Sequence, residues 1–379
     1  MKSSHSSLLT DYMRQVEPTD RLPLDDLQPV LLGLFGEVGS IMATAKKFHR
    51  EGEAYAGYRH AVEEEFGDAL WYLAALSRRM KIQADELLKH VLQADSSLTP
   101  PSGDVLGGPL SQLGTPNTVP ELDATLLQLG EKTADLFALR ASPSDADAKL
   151  AAFTVSYLRA IKVVRVTFAE VIRKNILKTR GRFLSPDYAN LPNFDRNFPE
   201  EEQLPNHFEI TLDQRLGGRS YMRWHGVFIG DPLSDNILDS DGYRFHDVFH
   251  FAHAAILHWS PTFRALIKQK RKSDPKVDDA QDGGRAIVVE EGLTTWLFGR
   301  AKELNYFEGQ KSVSFDLLKT VQQFVAGYEV EACPLNLWET AILRGYDVFR
   351  RVKGNRGGII IGDRSKRTVE YAPLEGAKS

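Results

Sequence analysis

Cysteine is nearly missing from this chain. Among 379 residues only Cys333 is present, which excludes an internal disulfide and suits a reducing compartment. No apolar run approaches the roughly 20 residues needed to span a bilayer, so no membrane-spanning segment is expected. The opening stretch MKSSHSSLLTDYM lacks the apolar core of a secretion signal, and a cytoplasmic location is the expectation. Nor is there an excess of positive charge. Lys and Arg number 47 against 51 Asp and Glu, so the global field of a nucleic-acid binder is missing and any anion site must be local.

What is present is helical periodicity carrying acids. Leu27, Leu31, Leu34, Val38, Ile41 and Ala45 recur at helix spacing, as do Val62, Phe66, Ala69, Leu73 and Leu76. Gly52 and Gly57 mark the loop between these two helices, and Lys81 or Ile82 marks the break before DELLKHVLQAD. A short helix is expected from Leu8 to Val16, and the helix of Glu37 begins near Asp25 or Gln28, where Pro29 suits a first turn. Glu37, Glu65 and Asp68 border the two apolar stripes. Carboxylates gathered beside a core repel one another unless a cation holds them or they take up protons. Magnesium suits such a site because it keeps waters and shares its coordination with phosphates.

The stretches GLFGEVGS and EFGDALWYL resemble the all-α MazG-like nucleoside triphosphate pyrophosphohydrolases, whose pattern is GxxxE-x-x-E on one helix and E-x-x-D with a hydrophobic run on the next. Glu37, Glu65 and Asp68 match it, and Ser40 stands where the family has its second glutamate. The resemblance implies Mg²⁺, with Mn²⁺ as an alternative, held by Glu37, Glu65 and Asp68. It also implies hydrolysis of a nucleoside triphosphate to the monophosphate and pyrophosphate, with water attacking in line. Glu64 is a candidate to take the proton. Trp71 and Tyr72, one turn beyond Asp68, either stack on a base or pack between helices.

Between Ser96 and Pro120 the chain turns rich in Pro, Gly, Ser and Thr, as a linker does. Beyond it, LLQLGEKTADLF (126–137) aligns with LLGLFGEVGSIM (31–42), setting Glu131 against Glu37. SYLRAIKVVRVTFAEVIRKNIL (156–177) aligns with WYLAALSRRMKIQADELLKHVL (71–92) with one slip. The second copy has lost most acids, with Leu150 and Phe153 or neighbours in place of Glu65 and Asp68. It ends instead in KNILKTRGRF, which resembles the family's closing N-x-x-K-x-x-x-R motif through Asn175, Lys178 and Arg182. That likeness implies that Asn175 helps hold metal or phosphate and that Lys178 and Arg182 neutralise the triphosphate. The expected organisation is a mainly α chain: a first MazG-like repeat (1–95), a linker (96–120), a degenerate second repeat (121–190) and an α+β domain (200–379). An internal pseudo-dimer lessens the need for a partner chain, and a homo-oligomer stays open. Loss of the second glutamate also leaves open a nucleotide sensor that binds without turnover.

In the last region NHFEITLDQ, YMRWHGVFIG, GGIIIGD and RTVEYA suggest strands. GYRFHDVFHFAHAAILHWSPTFRALIKQKRK and GGRAIVVEEGLTTWLFGRAKEL suggest helices, the first capped by Asp239 or Asp241. His246, His250 and His253 share one helix face, and Glu290 and Glu291 on the next helix complete a candidate second metal site. His246–Asp247, with His225 upstream, is faintly similar to an HD phosphohydrolase signature whose later aspartate has no counterpart. The runs 268–276 and 350–356 are basic, as exposed helix ends often are. GYRFHDVFHFAHA, KRKSDP and DGGRAIVVEEG together resemble the C-terminal domain of some bacterial MazG-like proteins, which implies a nucleotide-centred stress or phage-conflict pathway.

Overall fold

The acid-bearing stripes are buried as their spacing requires. The computed structural model describes residues 8–94 and 119–374, and most of the expected linker lies outside them. The described chain forms α1 (Leu8–Val16), α2 (Gln28–Glu51), α3 (Tyr58–Met80), α4 (Ala84–Ala94), α5 (Val119–Asp135), α6 (Ala146–Val164) and α7 (Phe168–Phe183). Together these make the first of two compact units, which divide between Leu184 and Ser185.

α2 has no side-chain N-cap and carries Gly33, Gly36 and Gly39, each costing roughly 0.5–1 kcal/mol relative to Ala in a helix. Its buried stripe, Val30, Leu31, Leu34, Val38 and Ile41, offsets this, since a large apolar side chain contributes about 1.5–3 kcal/mol when buried. α2 packs on α3 and α5, α3 on α7, and α4 on α6. Two breaks correspond. α3 ends at Lys81 and α6 at Arg165, both with left-handed backbone (φ 58° and 57°), and each is followed by a buried aliphatic residue, Ile82 or Val166. α7 then starts on Thr167, whose hydroxyl accepts the Glu170 amide.

The second unit contains a five-stranded antiparallel sheet in the order β3-β2-β1-β4-β5: β1 (His207–Gln214), β2 (Ser220–Trp224), β3 (Val227–Leu233), β4 (Gly357–Asp363) and β5 (Thr368–Ala372). YMRWHGVFIG is a hairpin, turning at His225 and Gly226, which both take positive φ. Phe208, Ile210 and Leu212 of β1 face the core. Gly362 stands opposite Phe208, where a Cβ would lie 2.0 Å from the ring, so only glycine admits that side chain.

The helices of this unit are α8 (Asp247–Ala252), α9 (Pro261–Ile267), α10 (Pro275–Gln281), α11 (Gly284–Glu303), α12 (Phe315–Phe324) and α13 (Leu335–Asn355). The long helix expected from Gly242 is instead segmented. α8 widens into a π-turn over His253–Leu257, His258 turns left-handed, and α9 restarts on the Ser260 cap with Pro261 in its first turn. Asp241 accepts the Tyr243 amide at the start of this segment.

A buried ion network secures the start of the unit. Asp195, fully buried, accepts Arg264 and Arg364 at 2.6 Å each and the Leu204 amide at 2.8 Å. Arg271, inside the basic run 268–276, is also buried and pairs with Asp282 and Glu329 at 2.7 Å. Arg350 and Arg351 pair with Asp347. Arg271, Arg350 and Arg351 are thus engaged within the protein, while Lys268, Lys272 and Lys276 of the first run are exposed.

Candidate active site and a second histidine cluster

Three helices converge on the acids of the first unit. α2 supplies Glu37 and α3 supplies Glu65 and Asp68, and one ligand oxygen from each lies within 4.8 Å of the others. α7 brings Asn175 and Lys178 to the same place. Asn175 Nδ2 donates to Asp68 Oδ1 at 3.1 Å, and Lys178 Nζ donates to Asp68 Oδ2 at 2.5 Å and Glu64 Oε1 at 2.8 Å. The close crossing of α3 and α7 needs Gly67, where a Cβ would stand 3.0 Å from the Asn175 Cβ.

The electrostatics follow from this crowding. Burial, then the nearby Asp68 and Glu65 charges, push the Glu37 carboxyl up to about 7. Burial works against the charge on Lys178, yet Asp68 and Glu64 outweigh it and raise its pKa. Burial lifts the Tyr12 and Tyr157 hydroxyls well above their ordinary value, so both stay neutral donors. Tyr12 donates to Asn175 Oδ1 at 2.7 Å, which fixes the amide so that its NH₂ faces Asp68.

Trp71 is buried, and its indole N–H donates to Thr19 Oγ1 at 2.8 Å. Tyr72 is the ring beside the acids: burial, Glu37 and Asp68 all raise its pKa, and its edge fills the space over Gly33. Arg182 is half-buried in the last turn of α7. Tyr12 was not singled out by the sequence, since one aromatic on a short amphipathic helix carries no chemical signal; only the contact with Asn175, 163 residues away, reveals it.

The second unit gathers the histidines. Ligand atoms of His246, Asp247 and His250 lie within 4.8 Å of one another, as do those of His250, His253 and Glu290. His250 Nδ1 is 3.1 Å from Glu290 Oε1, and its Nε2 is 3.2 Å from Glu291 Oε1. His246 Nε2 is 3.4 Å from Glu291 Oε2, and His253 Nδ1 is 3.0 Å from Glu290 Oε1. Burial alone would raise Glu290, but His250 and His253 outweigh it and hold the carboxyl down at about 2. His225 sits in the β2–β3 turn against Trp224.

Residues 189–375 match the family model of the MazG C-terminal domain, nearly the whole of the second unit. The match is consistent with a MazG-like protein carrying a MazG C-terminal-type extension. No curated protein and no solved structure matches it. Among the described residues no helix is long and apolar enough to cross a membrane.

Proposed function

We propose that the first unit is a nucleoside triphosphate pyrophosphohydrolase that works with Mg²⁺, Mn²⁺ being the alternative ion. The observation that carries this is the meeting of Glu37, Glu65 and Asp68 within 4.8 Å. Burial, with the nearby Asp68 and Glu65 charges, makes the ionised Glu37 carboxyl costly, a cost that a cation would offset, and all donors are hard oxygens, so the residues fit such an ion. When bound there, the ion would offset the charge that makes a triphosphate resist attack.

The remaining roles fall to the chain itself. Asn175 and Lys178 hold Asp68 in place, and Lys178, with Arg182 nearby on α7, is a cation suited to phosphate oxygens. A water oxygen bonds to phosphorus, the anhydride P–O bond breaks, and pyrophosphate departs with its electron pair. The proton of that water passes to a carboxylate. Glu64, beside the Lys178 ammonium, is the carboxylate not assigned to the ion and is the candidate for that task. The corresponding breaks at Lys81 and Arg165, and the reciprocal packing of α3 on α7 and α4 on α6, support an internal pseudo-dimer. In it the first copy holds the acids and the second supplies the phosphate-binding end.

Incubation of the full chain with each NTP and dNTP plus Mg²⁺ should release pyrophosphate rather than orthophosphate. Release of orthophosphate, or activity that survives Asp68→Ala, overturns the assignment. Ser40, in the place of a fourth acid, favours one second reading, a sensor of nucleotides; tight triphosphate binding with no product would establish it.

A further inference from the structure

We propose that His246, Asp247, His250 and Glu291 form a binding site for a first-row transition-metal dication, with coordination positions left toward solvent. Nitrogen and carboxylate oxygen together suit borderline ions such as Zn²⁺, Co²⁺ or Fe²⁺ rather than Mg²⁺ or a soft monovalent ion.

The spacing fits one ion. With bonds of about 2.0–2.2 Å to imidazole nitrogen and carboxylate oxygen, adjacent ligands on a metal stand roughly 3–3.6 Å apart. Ligand atoms of His246, Asp247 and His250 lie within 4.8 Å of one another, and Glu291 spans the two imidazoles with one oxygen to each, Oε1 3.2 Å from His250 Nε2 and Oε2 3.4 Å from His246 Nε2.

The tautomer fits as well. His246 Nδ1 lies 3.0 Å from the Tyr243 carbonyl, which can only accept, so Nδ1 carries the proton. Nε2 then faces the carboxylate of Glu291 at 3.4 Å. Either a second ring proton or a metal ion then stands between Nε2 and Glu291, and the site can exchange the one for the other. The Tyr243 ring, stacked on His246 at 4.3 Å and 7°, holds the imidazole plane.

Hydrogen bonding inside the protein does not complete the site. His250 is wholly buried, yet neither ring nitrogen makes an aligned hydrogen bond, although carboxylates lie close to both. Asp247 is 4% exposed, and its Oδ2 has no partner in the protein. Buried polar atoms of this kind cost about 1–3 kcal/mol each when left unmet. Glu290, by contrast, is already engaged by His253, the Ser260 hydroxyl and the Thr262 amide, each at 3.0 Å. It orients His250 and His253 from behind rather than offering itself to an ion. The π-turn at His253–Leu257 directly follows His250, and such turns concentrate at functional sites. Glu291 is about a third exposed and His246 about a tenth, so one side of the cluster faces water.

The test uses the full chain stripped by chelator, in a Glu65→Gln background that disables the acid cluster of the first unit, titrated with Co²⁺ and Zn²⁺. About one equivalent of Co²⁺ should bind with visible d–d absorption, Zn²⁺ should displace it, and Zn²⁺ should raise the melting temperature. His246→Asn and Asp247→Asn should each weaken binding at least about tenfold and abolish the thermal shift. His246 lies at the partly open rim, so His246→Asn tests the site even if Asp247→Asn fails to fold. Failure of the Glu65→Gln protein to take up either ion at micromolar concentration, or binding unchanged in His246→Asn, overturns the proposal.

Discussion

Asn175 reaches across 107 residues of sequence to donate to Asp68, while its own oxygen is held by Tyr12. The amide thereby couples α1, α7 and α3 at the acid cluster. Asn175→Leu should leave the Tyr12 hydroxyl buried without its acceptor and remove one of the donors to Asp68, at a cost of about 1–3 kcal/mol. Urea denaturation would read the loss, and Tyr12→Phe made in the same background should restore part of it.

The three acids are expected to act as a unit. Glu65→Gln and Asp68→Asn should each lower pyrophosphate release by at least about 100-fold, since even partners behind a metal ligand cost 10–100-fold. Mg²⁺ titration by calorimetry should show the same residues weakening ion binding. A residue that mattered only for folding would lower the melting temperature without moving the Mg²⁺ dependence.

Acidity gives a separate check. Glu37 has a folded-state pKa of about 7 against an ordinary 4.5, so the folded chain holds this proton more tightly than the unfolded chain. Its contribution to metal-free stability therefore declines as pH rises from about 4.5 to about 7 and is flat above that. Mg²⁺ competes with the same proton, so its affinity should rise by up to about tenfold per pH unit below 7 and level off above. Glu37→Gln should flatten both profiles in calorimetry and thermal unfolding.

Glycines along α2 should respond in opposite directions. A Cβ at Gly33 would stand 2.1 Å from the Tyr72 ring, whereas nothing lies within 4 Å of one at Gly36 or Gly39. Gly33→Ala should cost about 1–3 kcal/mol of overpacking, more than the roughly 0.5–1 kcal/mol Ala gains in a helix. Gly36→Ala and Gly39→Ala should keep that gain. Denaturant midpoints for the three variants would decide it.

The first unit was largely legible because its signals are local. The stripes around Glu37 and Asp68, the Leu8–Val16 helix and the break at Lys81 all follow from periodicity and chain punctuation. The four strand segments of the second unit were legible too, except that YMRWHGVFIG is two strands, since His225–Gly226 supplies the turn. The segmentation of the histidine helix was hidden, because His258 in left-handed backbone has no strong sequence mark and Pro261 can also sit inside a kinked helix. α12 and α13 went unassigned beside the more conspicuous basic residues, although Trp338, Ile342, Tyr346 and Phe349 fall on one buried face. Arg271 shows the limit of reading charge as exposure: only the fold brings Asp282 and Glu329 around it.

The double grip on Asp195 sets where the second unit can be cut. A fragment beginning at residue 200 would keep Arg264 and Arg364 inside the protein and discard the carboxylate that neutralises them, a loss on the order of 3–5 kcal/mol. Any attempt to express that half by itself should therefore retain the chain from Ser185, or the two stranded guanidinium groups will draw water into the core.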